Sequence, residues 1–325
     1  MKKLTIAAIA AFALTATSAS AADLVTKAKK IAPPDPPAWD IAFGSAITND
    51  YIFRGVTQSN HNGSVAAYFE PRYNVNKDLQ FYVGLGGASI SFANRAAAEI
   101  DIYGGFRPTF GNLALDFGLW YYAYPGGECF NAGVPTGNCA ANGNLPINGN
   151  VAKKNAGFYE GYAKAAYTAG DFVFGGNFYY SPNFLNLGAE GEYLSGTIKW
   201  TAPSSVPLPT GVGAYISGEL GYQWLGTSDN FYGLPGTPFA AGIKYADYAT
   251  WNVGIGWTYK VFTLDLRYVD TNLSRAECNA FTSDFTARQT GDVSSINPGG
   301  FGSNWCGSRF VARLSADLTL NTNVK

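Results

Sequence analysis

Few residues in this chain are placed for covalent chemistry. The single histidine, His61, has Ser59 and Ser64 close by. A lipid-cleaving enzyme needs a nucleophile and a base held together, but serines beside a loop histidine are too common to select that reading. The four cysteines fall in two pairs: Cys129 and Cys139 flank "FNAGVPTGN", and Cys278 and Cys306 bracket a second long segment. There is no Cys-x-x-Cys, so no metal site is expected. In an exported chain an even count reads as disulfides. Pairing within each segment is the simplest of the three connectivities, and each bridge would contribute on the order of 3 kcal/mol in the entropic picture. No phosphate-binding loop or dinucleotide fingerprint is present. No catalytic residue and no cofactor are expected.

The informative polar residues are charges set at alternate positions in apolar and aromatic segments. They are Asp50, Arg54, Glu70, Arg72, Glu99, Asp101, Arg107, Asp116, Glu160, Lys164, Glu219, Asp265, Arg267 and Arg313, with Asp40, Lys199 and Asp317 in the same pattern. The stretch "ITNDYIFRGVTQSN" shows the problem they pose. Asp50 and Arg54 stand among Tyr51, Ile52 and Phe53, where a soluble core would avoid the charges and a surface loop the aromatics. Their chemistry is electrostatic. Lining a lumen, such a mixture either borders a narrow aqueous path for small polar solutes or ions, or interlocks with tyrosines and closes it.

Strands must position them. From Trp39 onward the hydrophobic period is two. Val65, Ala67, Phe69, Tyr73 and Val75 oppose Ser64, Tyr68, Glu70, Arg72 and Asn74, and Phe262, Leu264, Leu266 and Tyr268 oppose Thr263, Asp265 and Arg267. In the first segment Tyr51 and Phe53 continue the apolar parity to its end. This places them toward lipid, with Asp50 and Arg54 toward the lumen and Glu70 the first candidate partner for Arg54. Twelve segments fit the template at a length that suits a tilted strand crossing a bilayer. Even-numbered connections are mostly short and several odd-numbered ones long. No stretch after the N-terminus reaches 18 consecutive apolar residues, so only a closed barrel could span hydrocarbon. A soluble sandwich also alternates, but its strands are usually shorter. Here Trp39, Tyr73, Phe106, Tyr167, Trp200 and Tyr259 would form one aromatic girdle, and Tyr51, Phe53, Tyr121, Trp224, Trp251 and Tyr268 the other. The expected fold is all-β: a closed antiparallel transmembrane β-barrel of about twelve strands, with short periplasmic turns and long extracellular loops.

Residues 1–21 read as an export signal: Lys2 and Lys3, an apolar run from Leu4 to Leu14, and Ala19-Ser20-Ala21 for cleavage. Residues 22–38, with Pro33, Pro34, Pro36 and Pro37, read as a periplasmic segment. Its Lys27, Lys29 and Lys30 either only solubilise it or contact cell-wall material. The barrel is expected over 39–320, with a tail at 321–325. A net charge of −1 gives no footprint for nucleic acid. The expected partners are outer-membrane lipid and small polar solutes or ions; the sequence does not set an oligomeric state.

The stretch "TNDYIFRGVTQS", followed by "FEPRY", resembles the TorF family of outer-membrane porins, as do the later "YATWNVGIGWTYKVFTLDLRYVDTN" and "RFVARLSADLTL". The resemblance runs from about Trp39 to Leu320 and implies an outer-membrane barrel with a pore role, without naming a solute. The two cysteine-bearing loops are long for that family, and the chain ends "LNTNVK", without a terminal aromatic. A non-conducting barrel that scaffolds the envelope or binds a partner is the alternative, and a lipid hydrolase around His61 the last.

Overall fold

The computed structural model describes residues 36–131, 151–234 and 236–324. The export signal, most of the Pro-rich segment and the pairing of Cys129 with Cys139 lie outside the described residues. Twelve long strands form one sheet: β1 Trp39–Thr48, β2 Ser64–Asn76, β3 Leu79–Ala88, β4 Glu99–Phe110, β5 Leu113–Ala123, β6 Phe158–Ala169, β7 Phe172–Ser181, β8 Gly191–Thr201, β9 Val212–Leu225, β10 Tyr248–Tyr259, β11 Phe262–Thr271 and β12 Arg309–Thr319. Each pairs antiparallel with its sequence neighbours. β12 returns to β1 with Ala42 opposite Thr319 and Thr48 opposite Arg313, closing a barrel. Closure leaves no sheet edge and no unpaired ladder of backbone groups, the condition for a sheet in hydrocarbon. Beyond β12, one π-helical turn at Leu320–Val324 ties back to β1, with Asn321 N donating to Asp40 Oδ1 at 3.1 Å.

The two faces are inverted relative to a soluble protein. Outward positions carry Ile47, Val83, Leu119, Leu220 and Phe310, each more than half exposed. An apolar surface running round the whole barrel is a lipid-facing surface. Trp39, Tyr73, Phe106, Tyr167 and Tyr259 are exposed near the turn end, and Tyr121 and Trp224 near the long-loop end. Inward positions carry the charges together with buried Tyr82, Tyr103, Trp120, Tyr122, Tyr162, Tyr179, Tyr193 and Tyr215. Glycines opposite these rings let them lie flat on the wall. A Cβ on Gly84 would come 2.1 Å from the Tyr103 ring, and one on Gly256 2.1 Å from that of Tyr215.

The first strand departs from expectation. It stops at Thr48, and Tyr51 and Phe53 do not face lipid. Ile52–Phe53 pairs with Val56–Thr57 in a small hairpin whose central residues, Arg54 and Gly55, both have positive φ (48° and 81°), the pattern of a two-residue type I′ turn. The hairpin folds inward. Tyr51 OH donates to Glu99 Oε1 at 2.5 Å, and Phe53 packs against Tyr122 with ring centroids 5.9 Å apart. Asp50 organises its base, accepting from Thr57 Oγ1 (2.5 Å) and Ser59 Oγ (3.1 Å) while contacting His61 Nδ1 (2.8 Å). The base of the hairpin thus satisfies its polar groups locally instead of continuing the ladder.

The segment between β11 and β12 sits over this hairpin. Its helix α1, Arg275–Thr282, opens with a capping box of Ser274 and Glu277. The Cys278–Cys306 disulfide joins the helix to the strand-ward end of the segment. Phe281 stacks on Phe184, Thr57 N donates to Trp305 O at 3.0 Å, and Trp305 Nε1 donates to Asn60 Oδ1 at 2.9 Å.

Candidate functional site

Arg54 is carried across the lumen at the tip of the hairpin. Its guanidinium grips Glu160 of β6 bidentately, at 2.9 and 2.8 Å, and donates to Gln223 Oε1 of β9 at 3.0 Å. It also lies 4.5–5.6 Å from the ring centres of Phe53, Tyr179, Tyr193 and Phe184. Tyr248 OH donates to Arg54 O at 3.2 Å. Glu160 and Gln223 are fully buried. Burial by itself would lower the Arg54 pKa, but the Glu160 carboxylate outweighs it and leaves the guanidinium above its ordinary value. Tyr51 shifts the same way: burial first, then Glu99, push its phenol well above the usual range. Glu70 is therefore not the partner of Arg54. The alternation through Tyr51 and Phe53 resembled strand and concealed the turn. Gln223, Tyr179, Tyr193 and Phe184 were not among the candidates; the consecutive Arg54-Gly55 was the only local hint of the hairpin that brings them together.

Glu70 belongs to a second network. It accepts from Arg72 Nε at 2.6 Å and from Arg107 at 2.9 and 3.2 Å. Arg107 Nε also reaches Asp116 Oδ2 at 3.3 Å, while Tyr82 OH donates to Asp116 Oδ1 at 2.5 Å. The Arg107 guanidinium lies 3.6 Å above the Tyr82 ring. Lys164 stands opposite Asp116 in the ladder, with Nζ 4.5 Å from the Tyr162 ring centre. Glu99 accepts from Tyr51 and Tyr124, and Asp101 from Trp120 Nε1 at 3.0 Å. Glu70, Arg72 and Asp116 are buried, while Glu99, Asp101 and Trp120 border the main cavity of the lumen.

Beside this packed network the lumen is open. A cavity of about 310 Å³ lies beside the hairpin and is bordered by every strand except β6; its charged lining includes Glu99 and Asp101 as well as Lys199, Glu219, Asp265, Arg267, Arg313 and Asp317. Asp265 is gripped by Arg267 (3.1 and 3.0 Å) and accepts from Tyr215 OH at 2.7 Å. Glu219 accepts from Tyr193 OH at 3.0 Å and Asn252 Nδ2 at 3.3 Å. A second cavity, about 90 Å³, lies on the loop side of the hairpin among Val56, Phe92, Tyr232, Phe281 and Trp305. Phe53 borders both, so the hairpin is the partition between them.

His61 contacts Asp50 and, at 3.0 and 2.8 Å, Arg309. Ser59 Oγ lies within hydrogen-bond distance of both Asp50 Oδ1 and Asn62 O, and Ser64 Oγ donates to Ser89 O. Neither hydroxyl is bonded to the imidazole, so the nucleophile–base contact of a hydrolase is not made here. Among the described residues no group of three or more His, Cys, Asp or Glu could hold a metal ion.

Over residues 33–142 the chain matches the model of a family described as "Bacterial protein of unknown function (Gcw_chp)". No curated protein matches it. Solved structures similar to it include an outer membrane channel from Pseudomonas putida (12% identity, 87% of this chain and 96% of that one, TM-score 0.39). The NanC porin is 9% identical (86% and 98% covered, TM-score 0.38), and OmpT of Vibrio cholerae 10% identical (87% and 98%, TM-score 0.36). At that degree of superposition the likeness carries no argument about function.

Proposed function

We propose that the chain is an outer-membrane, porin-like channel of the TorF kind, through which small hydrophilic solutes or ions diffuse along a narrow lumen of mixed charge. In this reading the short-turn end and both chain ends face the periplasm after export, and the long loops face outward. The observation that carries it is the cavity of about 310 Å³ bordered by charged side chains inside a lipid-facing barrel. A lumen built only for rigidity would be filled, as a well-packed interior is. The Arg54 hairpin sets the constriction. Purified chain inserted in a planar bilayer is expected to give discrete conductance steps smaller than those of wide porins; a barrel that inserts and never conducts overturns the proposal.

The same hairpin favours a second reading, a non-conducting barrel that scaffolds the envelope or presents its loops to a partner. Arg54 is latched to the far wall, and Phe281 is buried above it. Releasing the latch separates the two. If Arg54→Ala opens or widens a conductance, the hairpin is a constriction in a pathway. If the parent and the variant both insert and stay silent, the barrel is structural.

A further inference from the structure

The cavity wall is unequal in what it still has to offer a solute. Each of its carboxylates is already accepting. Asp50 takes Thr57 and Ser59, Glu99 takes Tyr51 and Tyr124, and Asp101 takes Trp120. Glu219 takes Tyr193 and Asn252, and Asp265 takes Arg267 and Tyr215. Asp317 accepts from Tyr68 OH and Ser315 Oγ, both at 3.1 Å. Two cations of the wall, Arg54 and Arg267, spend their donors on Glu160 and Asp265. The other two do not. Lys199 on β8 and Arg313 on β12 border the cavity, and neither makes a hydrogen bond or ion pair with the described residues. Lys199 Nζ rests 4.3 Å from the Tyr215 ring centre, a contact that leaves its N–H groups unspent.

Both cations belong to one neighbourhood, within electrostatic reach of Asp265, and Arg313 of Asp317 as well. Arg313 stands directly opposite Asp265 in the β11–β12 ladder, yet Asp265 is already held by Arg267 and Tyr215. Lys199 is over the same Tyr215, whose hydroxyl donates to Asp265. Three cations therefore stand near Asp265, with Asp317 and Glu219 as further carboxylates of the same wall, both already accepting. Unspent donors in a partly dry wall call for acceptors. The guanidinium fork and the ammonium both match the oxygens of an oxyanion, and charge assistance makes such bonds strong.

We propose that Lys199 and Arg313 form a binding site in the lumen for a small oxyanion, a carboxylate or a phosphate. This deepens the channel reading and takes from it only that solutes enter the lumen. The acids on the opposite side of the cavity keep their own donors and leave this patch as the place where an anion is held.

The test is equilibrium binding to the full barrel in nanodiscs, by calorimetry, with acetate and inorganic phosphate as probes and glycerol as the uncharged control. Saturable binding of acetate or phosphate is expected, with the tighter of the two naming the oxyanion. Lys199→Gln and Arg313→Gln should each weaken it about tenfold, the loss of one charge-assisted hydrogen bond. Arg313→Lys, which keeps the charge and loses the fork, should fall between. Both Gln variants must show the parent's heat-modifiable mobility, and Arg313→Lys carries the test if Arg313→Gln misfolds. Binding of neither probe, or binding that both Gln variants leave unchanged, overturns the proposal. A barrel that binds the oxyanion and never conducts overturns the channel reading and leaves this one standing.

Discussion

The two sides of the lumen are built from the same residue types and end differently. Under β2–β6, Glu70 is shared by Arg72 and Arg107, and Arg107 also meets Asp116. The Arg107 guanidinium lies on the Tyr82 ring, and none of these four charges borders the cavity. Under β8–β12, Asp265 is taken by Arg267 and Tyr215, and Lys199 and Arg313 stand over a cavity. Charge content does not decide whether a barrel interior closes. Matching does: where each cation finds a carboxylate within a strand or two, the pair draws the walls together, and where it does not, hydration holds them apart. The Arg54 hairpin lies between the two regimes. Its bonds to Glu160 and Gln223 fix it across the lumen.

Glu70→Ala should break the contrast most severely. It leaves Arg72 and Arg107 buried without their shared acid, and loss of one partner of a buried pair costs about 3–5 kcal/mol. Urea unfolding of the refolded barrel in detergent reads it directly. The counterpart on the open side, Asp265→Ala, should cost less, because Arg267 can turn to cavity water and still bond Asn252 and Ser217. Equal losses would mean that the open side is as tightly closed by its charges as the filled one.

Arg54→Ala ranks next. Its stability cost should be about 3 kcal/mol or below, since the released hairpin admits water to Glu160. Its larger signature is functional: higher conductance, and faster proteolysis within 49–63. Unchanged proteolysis would mean that the Asp50 bonds at the base, and not the latch, hold the hairpin in place.

That hairpin also marks where the sequence stops being readable. The twelve strands are legible because lipid on one face and a polar lumen on the other impose a strict period of two, and Phe262–Thr271 or Ser64–Asn76 carries it without a break. Through Tyr51 and Phe53 the period merely persists while the chain turns inward. The partners that explain the turn, Glu160 and Gln223, lie 106 and 169 residues away, and nothing local names them. The same holds for Glu70. A strand neighbour of Arg54 by simple extension, it is taken by Arg72 two residues on and by Arg107. Which inward charges remain free depended on pairings that only closure of the barrel decides, so Lys199 and Arg313 looked like any other inward base.

The smallest effect is the sharpest probe of how the two sides pack. Gly84 and Gly256 face cross-strand tyrosines at the same 2.1 Å from a would-be Cβ. Tyr103 cannot retreat from Gly84, being stacked on Trp120 with ring centroids 4.1 Å apart and planes 8° from parallel. Tyr215 borders the same cavity as Tyr103 but has no ring stacked on it among the described residues, so it can swing from Gly256 into that space, giving up its bond to Asp265. Overpacking costs roughly 1–3 kcal/mol; Gly84→Ala should fall in the upper part of that range and Gly256→Ala in the lower. The gap between them, measured by the same urea unfolding, reports the free space beside Tyr215. If the two variants lose equal stability, the wall beside Lys199 is as rigid as the stacked Tyr103 and Trp120, and the cavity there has no room to yield to a solute.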